Sequence, residues 1–83
     1  MYINIGKDLQ NRLQDIINKV TEKQNVILDV TFYTKDCRVI FRNNDERKTY
    51  KAIIYYDKLN TDIDLKNNVS IKRHYDRRYE SLH

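Results

Sequence analysis

The first regular pattern along the chain has the period of an α-helix. Between residues 9 and 20, aliphatic side chains recur at positions i, i+4, i+7, i+8 and i+11, which lie along one side of a helix. These side chains are Leu9, Leu13, Ile16, Ile17 and Val20. Charged and amide side chains occupy the other side, and Gly6 is a tolerated N-cap residue. The pattern predicts an amphipathic helix over residues 7–23.

After this helix the pattern alternates, as expected for β-strands with one buried face. The apolar positions are Val26, Leu28, Val30 and Phe32, followed by Cys37, Val39 and Phe41. Paired residues of an antiparallel hairpin share a face, so the apolar positions constrain the register. A turn at residues 35 and 36 predicts that Phe32 lies opposite Val39 on the core side. The same register places Asp29 opposite Arg42 on the outer side.

Two later segments alternate in the same way. The inner face of a third strand consists of Tyr50, Ala52, Ile54 and Tyr56. A last hairpin that turns at residues 66–68 pairs Ile63 with Ile71 and places Asp62 opposite Lys72. These patterns predict an α+β fold, with one N-terminal amphipathic helix packed on an antiparallel β-meander of four to five strands. We expect a single binding domain over residues 1–83, with residues 76–83 as a frayed tail.

The outer face of this sheet is apolar for a surface in contact with water. It carries Ile27, Tyr33, Ile40, Ile53 and Tyr55. A second layer of protein would cover such a face, and in a short chain that layer comes from a partner or a second copy. The sequence therefore indicates a homodimer through this face. The alternative is that β-branched and aromatic residues simply suit strands.

The composition removes several classes of function. The chain has 83 residues with one Gly, no Pro and one Cys. A glycine-rich phosphate-binding loop, an internal disulfide and a cysteine-based zinc cluster are therefore excluded. No apolar run reaches the roughly 20 residues that cross a bilayer, so we expect a cytoplasmic protein without membrane contact. Five residue types with AT-rich codons (Asn, Ile, Lys, Tyr and Phe) make up 37 of the 83 residues, which favours a phage or another mobile element as the source.

The charge distribution is the sharpest functional signal. The net charge of +4 is confined to residues 66–78, and the rest of the chain is balanced. Basic and aromatic side chains alternate there, as a phosphate backbone and exposed bases require. We name these residues the C-terminal basic segment: Lys66, Lys72, Arg73, His74, Tyr75, Arg77, Arg78 and Tyr79. Arg77 and Arg78 lie beyond the predicted pairing region and have no predicted carboxylate partner.

The first prediction is a non-enzymatic protein that binds nucleic acid through this segment. A phage-type inhibitor that docks on an acidic surface of a host nuclease or defence complex is the alternative, because Arg and Tyr also dominate protein interfaces. A metal-independent ribonuclease is a third alternative, although nothing in the spacing is diagnostic. Its base, acid and phosphate-binding cations would come from His74, Lys72, Arg73, Tyr75 and Arg77. Cys37 lies in the apolar pattern and is predicted to be a core residue rather than a nucleophile. No cofactor and no metal are predicted, since Asp62-x-Asp64 and His74-x-Asp76 each lack further ligands.

Overall fold

The computed structural model describes residues 6–80 as one helix packed on one face of a four-stranded sheet. Helix α1 spans Lys7–Thr21 and short helix α2 spans Leu65–Asn68. The strands are β1 (Asn25–Phe32), β2 (Asp36–Asn43), β3 (Thr49–Tyr55) and β4 (Val69–Arg73). Their order in the sheet is β1-β2-β3-β4, and every neighbouring pair is antiparallel. The predicted α+β meander is confirmed, with four strands.

Helix α1 forms where the aliphatic stripe predicts it. Gly6 is its N-cap, and Glu22 ends it in the left-handed conformation, at φ 58°. The helix therefore stops two residues before the predicted end. Leu13, Ile16 and Ile17 of the stripe are fully buried against the sheet, while its first and last members are partly buried. Burying one aliphatic side chain of this size stabilises the fold by about 1.5–3 kcal/mol.

The sheet supplies the other half of the core through alternate residues of β2 and β3. Val39, Phe41, Ala52 and Ile54 are buried beneath α1, as the alternation predicts. Cys37 is fully buried in the same cluster, and burial raises the pKa of its thiol to about 11. The complete burial of this side chain confirms its predicted core role.

The predicted register of the first hairpin is wrong by two positions. The turn residues are Thr34 and Lys35, so that Phe32 lies opposite Cys37 rather than Val39. A β-bulge between Ile27 and Asp29 then changes the face of every earlier residue of β1. Parity cannot separate two registers that differ by two residues, and it reverses at a bulge.

Because of the bulge, one residue of the predicted dimer face points to the other side of the sheet. Ile27 lies opposite Phe41 and packs against the core beneath α1, instead of facing outward. Val26 takes the outward position and is exposed. The outer face therefore begins with a different residue from the one predicted.

The predicted last hairpin is also wrong. Residues 56–68 form a 3₁₀ turn, an irregular connection and α2, and only Val69–Arg73 pairs with β3. Ile63 is exposed rather than paired. The carboxylate of Asp62 binds Arg12 at 2.9 Å and Lys19 at 3.1 Å, and so does not face Lys72. The apolar alternation on either side of residues 66–68 did not suffice to predict a fifth strand. The contacts that hold this connection come from α1, and the alternation does not reveal them.

Neither helix among residues 6–80 combines the length and the apolar character that a membrane crossing requires. Helix α1 has 15 residues and α2 has four. A crossing helix needs roughly 20 predominantly apolar residues.

Candidate functional site

The outer face of the sheet, opposite α1, brings together cations from different strands. Strand register sets its side chains in rows, and one row runs through Asp29, Ile40, Lys51 and Lys72. Lys51 lies between the core residues Tyr50 and Ala52 in β3, so its side chain leaves the opposite side of the sheet. The same alternation turns Lys72 outward from β4. Lys51 and Lys72 therefore lie side by side on adjacent strands of this face.

The end of the chain folds into a turn on this sheet. The backbone N–H groups of Tyr79 and Glu80 donate to the carbonyl of Asp76 at 3.0 and 2.9 Å. Glu80 is only 8% exposed, so the predicted frayed tail is wrong for residues 76–80. Residues 81–83 of that predicted tail lie outside the described residues. We call residues 76–80 the C-terminal turn.

The carboxylate of Glu80 anchors this turn to β3 and β4. It accepts hydrogen bonds from the backbone N–H of Thr49 at 3.2 Å and from its hydroxyl at 3.1 Å. Arg73 donates through Nη2 at 2.7 Å and Nη1 at 3.2 Å, and the backbone N–H of Asp76 donates at 3.2 Å. The Arg73 guanidinium and these N–H and O–H donors lower the pKa of Glu80 to about 2.

The turn also reaches β1, the far edge of the sheet. Arg78 Nη2 lies 2.7 Å from Asp76 Oδ2 and 3.7 Å from Asp29 Oδ2, and this guanidinium lowers the pKa of Asp76 to about 2. The Tyr79 hydroxyl donates to the Leu28 carbonyl at 3.4 Å. The expectation that Arg78 lacks a carboxylate partner is therefore wrong. Ile40, in the row that the turn reaches, is only 7% exposed.

The structure separates the eight residues of the C-terminal basic segment. Lys66 pairs with Glu22 at the end of α1 at 3.3 Å, on the helix side of the sheet. Arg73 and Arg78 are held by carboxylates, and Tyr79 is half-buried. His74 is half-buried, and its backbone pairs with Thr49. The segment is therefore not one continuous binding strip.

Lys72, Tyr75 and Arg77 remain accessible. Tyr75 is 46% exposed. Lys72 and Arg77 are exposed and make no ion pair with any residue from 6 to 80. Lys72 and Arg73 are neighbours in β4 and point to opposite faces, so two of the residues named for a ribonuclease site do not converge.

Three basic residues outside the segment join the accessible ones. Lys51 lies directly opposite Lys72 and makes no ion pair within the described part of the chain. Arg42 lies opposite Thr49, and with Arg47 and Tyr79 it lines a surface cleft of about 450 Å³. We call the cations at this end of the molecule the basic cluster: Arg42, Lys51 and Lys72 on the strands, Arg47 in the β2–β3 loop and Arg77 in the C-terminal turn. The strand register, rather than the charge run, identifies Arg42 and Lys51 as members.

Acidic side chains also border this cleft. Asp45 and Glu46 belong to the β2–β3 loop that forms one wall. Glu46 binds Lys23 at 3.5 Å and accepts a hydrogen bond from the Tyr50 hydroxyl at 2.9 Å. Glu46 is therefore already paired with a cation outside the cluster.

Replacing Lys72 with glutamine is expected to stabilise the isolated protein. Like charges directly opposite each other on adjacent strands cost about 0.2–1 kcal/mol, and glutamine removes that repulsion from Lys51. Urea unfolding at low salt measures the gain, which should shrink as salt screens the repulsion. Lys66→Gln is the control, because it removes an ion pair with Glu22 instead of a repulsion. Equal stability of Lys72→Gln and the wild type at low salt would contradict a repulsive pair.

The other end of the outer face is aromatic. Tyr33 and Tyr55 are each 48% exposed. The Arg38 guanidinium lies 4.3 Å from the centre of the Tyr33 ring, and its Nε lies 3.3 Å from the carboxylate of Asp36. Tyr55 lies opposite Asp36 in the register. We call Tyr33 and Tyr55 the tyrosine pair.

The predicted dimer face is therefore divided. Ile27 faces the core, and Ile40 is buried on the outer side. Ile53 is partly buried in β3. The outer face exposes Val26 and the tyrosine pair together with cations of the basic cluster, and the homodimer remains a prediction.

Among residues 6–80, no three His, Cys, Asp or Glu side chains are grouped closely enough to hold a metal ion. The single histidine of this range is His74, at the end of β4.

Comparison of the chain with protein-family models, with curated protein sequences and with solved structures finds no match in any of the three. The fold and the site together define a small α+β protein with a basic and aromatic sheet face. What this face binds is therefore inferred from its own residues and contacts.

Proposed function

We propose that this protein binds nucleic acid, without catalysing a reaction, through the outer face of its sheet. The observation that carries the proposal is the Lys51–Lys72 pair, two cations directly opposite each other without a carboxylate between them. Such an arrangement costs stability in the free protein. A phosphate backbone offsets that cost, because it places negative charge between the two ammonium groups and releases its own counterions.

The ion pairs elsewhere in the molecule support this proposal. Of the 12 carboxylate side chains, eight are already bound to a cation. Three of these carboxylates, those of Glu80, Asp76 and Asp29, bind Arg73 and Arg78. They fix the shape of the C-terminal turn and leave Lys51, Lys72 and Arg77 to an external anion.

Binding is tested by fluorescence anisotropy with labelled RNA and DNA oligonucleotides at a series of salt concentrations. With about four phosphate contacts, log K should fall against log salt with a slope of about −3 for single strands and about −3.6 for a duplex. Affinity that is independent of salt, or no binding to any oligonucleotide at 50 mM salt, would overturn the proposal. An acidic protein surface would then be the better candidate for the same cations.

The variant Lys51→Gln/Lys72→Gln tests whether the outer face is responsible. We expect about tenfold weaker binding near physiological salt, and a salt slope that is shallower by about 1.4, because two phosphate contacts are lost. Lys7→Gln/Lys66→Gln is the matched control, since it changes the net charge equally but on α1 and α2. An equal loss in both double variants would show that net charge, rather than this face, determines binding.

A further inference from the structure

We infer that the nucleic acid bound by this protein is single-stranded, with unpaired bases stacked on the tyrosine pair, Tyr33 and Tyr55. This inference rests on the proposed function and adds the strand state of the ligand. Exposed aromatic rings offer flat faces on which any base can stack, and this contact is open to bases outside a duplex.

The two rings stand on the same face at the same end of the sheet. Tyr33 follows β1, and its backbone N–H donates to the carbonyl of Asp36 at 2.8 Å, across the β1–β2 turn. Asp36 is paired in turn with Tyr55 of β3. The rings are therefore separated by one strand, or about 10 Å between their backbones. This separation leaves room for a base on each ring.

The surroundings hold Tyr33 in place before any ligand binds. Arg38 lies against one side of the Tyr33 ring at 4.3 Å and binds Asp36, the acidic residue between the rings, at 3.3 Å. The Tyr56 hydroxyl donates to the Tyr33 carbonyl and fixes the turn below the ring. Side chains that are already ordered lose little entropy on binding. The Asp36 carboxylate, because it is paired with Arg38, repels a phosphate less than a free carboxylate would.

Cations lie on both sides of Tyr55, where the phosphates next to a stacked base would pass. Lys35, which makes no ion pair among residues 6–80, lines a cleft of about 320 Å³ together with Tyr55, Tyr56 and Asp57. Lys51 lies four residues from Tyr55 along β3, on the same face and about 13 Å away. That distance corresponds to about two nucleotides of extended strand. A single strand can therefore run from the tyrosine pair to the basic cluster.

A duplex could use only part of this surface. Its bases are stacked on one another inside the helix, so its phosphates would contact Lys51 and Lys72 while Tyr33 and Tyr55 gained no stacking partner. The rings are the feature that distinguishes the two ligands, and the cations are the feature that both would use.

The experiment measures anisotropy for a 12-nucleotide single strand, as RNA and as DNA, and for the duplex of the same sequence. We expect the wild type to prefer the single strand by at least about tenfold. Tyr55→Ala should weaken single-strand binding by about 5- to 150-fold and change duplex binding by less than about twofold. Tyr55→Phe should bind like the wild type, whereas Tyr55→Leu should behave like the alanine variant, because leucine keeps apolar bulk but has no ring.

Ile63→Ala is the control, because Ile63 is an exposed large apolar side chain next to Asp62, which binds Lys19 of α1 on the other side of the sheet. We expect it to change single-strand affinity by less than about twofold. Equal affinity for single strand and duplex would overturn the inference, and so would unchanged single-strand affinity in Tyr33→Ala and Tyr55→Ala. In either case, binding that depends on salt would leave the proposed function intact. Absence of binding to both ligands would overturn both. Circular dichroism confirms that each variant retains its fold.

Discussion

Glu80→Gln is expected to lower the thermal stability of the protein markedly. The carboxylate of Glu80 accepts five hydrogen bonds, two of them from Arg73 and two from Thr49. A neutral amide cannot accept all of these and leaves the Arg73 guanidinium without its counter-charge. We expect Tm to fall by about 5–10 °C in calorimetry at pH 7.

The same residue makes stability depend on acid pH. The pKa of Glu80 is about 2 in the folded protein against an ordinary value of 4.5, because Arg73 stabilises the charged form. A lowered pKa contributes stability that is fully present above pH about 4.5 and is lost as the pH falls toward 2. The wild-type Tm should therefore drop through this range. Glu80→Gln should drop less, and the remaining decrease should come partly from Asp76, whose pKa is also about 2.

Glu22→Gln is the control for this prediction. Glu22 is also a glutamate in an ion pair, with Lys66 at 3.3 Å, but both side chains are well exposed. Exposed ion pairs of this kind contribute little to stability, so Tm should hardly change. If Glu80→Gln were as stable as Glu22→Gln, or kept the full acid sensitivity of the wild type, the buried carboxylate would not be what anchors the C-terminal turn.

Arg12→Ala is expected to have the second large effect, on the connection between β3 and β4. The Arg12 guanidinium donates to the carbonyls of Leu59 and Thr61 and to the carboxylates of Asp15 and Asp62. Alanine leaves these backbone acceptors without a partner in a segment that has few backbone hydrogen bonds of its own. We expect a loss of about 2–4 kcal/mol in the free energy of unfolding, measured in urea.

Two comparisons separate this contribution from simple charge. Arg12→Lys keeps the charge, but one ammonium group cannot reach acceptors on both sides of the guanidinium, so most of the loss should remain. Lys19→Ala removes an exposed partner of the same Asp62 and should cost much less. Hydrogen exchange should show the increased opening first at residues 59–64. If Arg12→Lys were fully stable, charge alone would hold the connection.

The helix and the inner sheet face were predictable because their information is local. The spacing of Leu13, Ile16 and Ile17 is readable from consecutive residues, and so is the alternation of Ala52 and Ile54. Both patterns survive small errors in where an element begins or ends. The predicted and observed burial of these side chains agree for that reason.

The register and the connections were not predictable because they depend on distant residues. The bulge next to Ile27 has no marker such as a glycine in the sequence. The irregular connection follows from Arg12, and the ordered C-terminal turn follows from Glu80 meeting Arg73 and Thr49. Each of these contacts joins residues that no short pattern relates.

Only part of the candidate site was predictable, again because some of its contacts join residues that are distant in the sequence. The charge run correctly indicated Lys72 and Arg77 as accessible cations, because local composition suffices for that. It could not show that Arg73 and Arg78 serve the fold, nor that Lys51 lies opposite Lys72. Only the pairing of β3 with β4 reveals that these two lysines are neighbours.

The β-bulge of β1 has a consequence for self-association. β1 is an eight-residue strand at one edge of the sheet, and a long straight edge is a template for another chain. The bulge beside Asp29 interrupts its ladder, and the Tyr79 hydroxyl already binds the carbonyl of Leu28. An edge interrupted in its middle resists continuation into a larger intermolecular sheet. If two copies associate, we therefore expect contact through a face of the sheet rather than through β1.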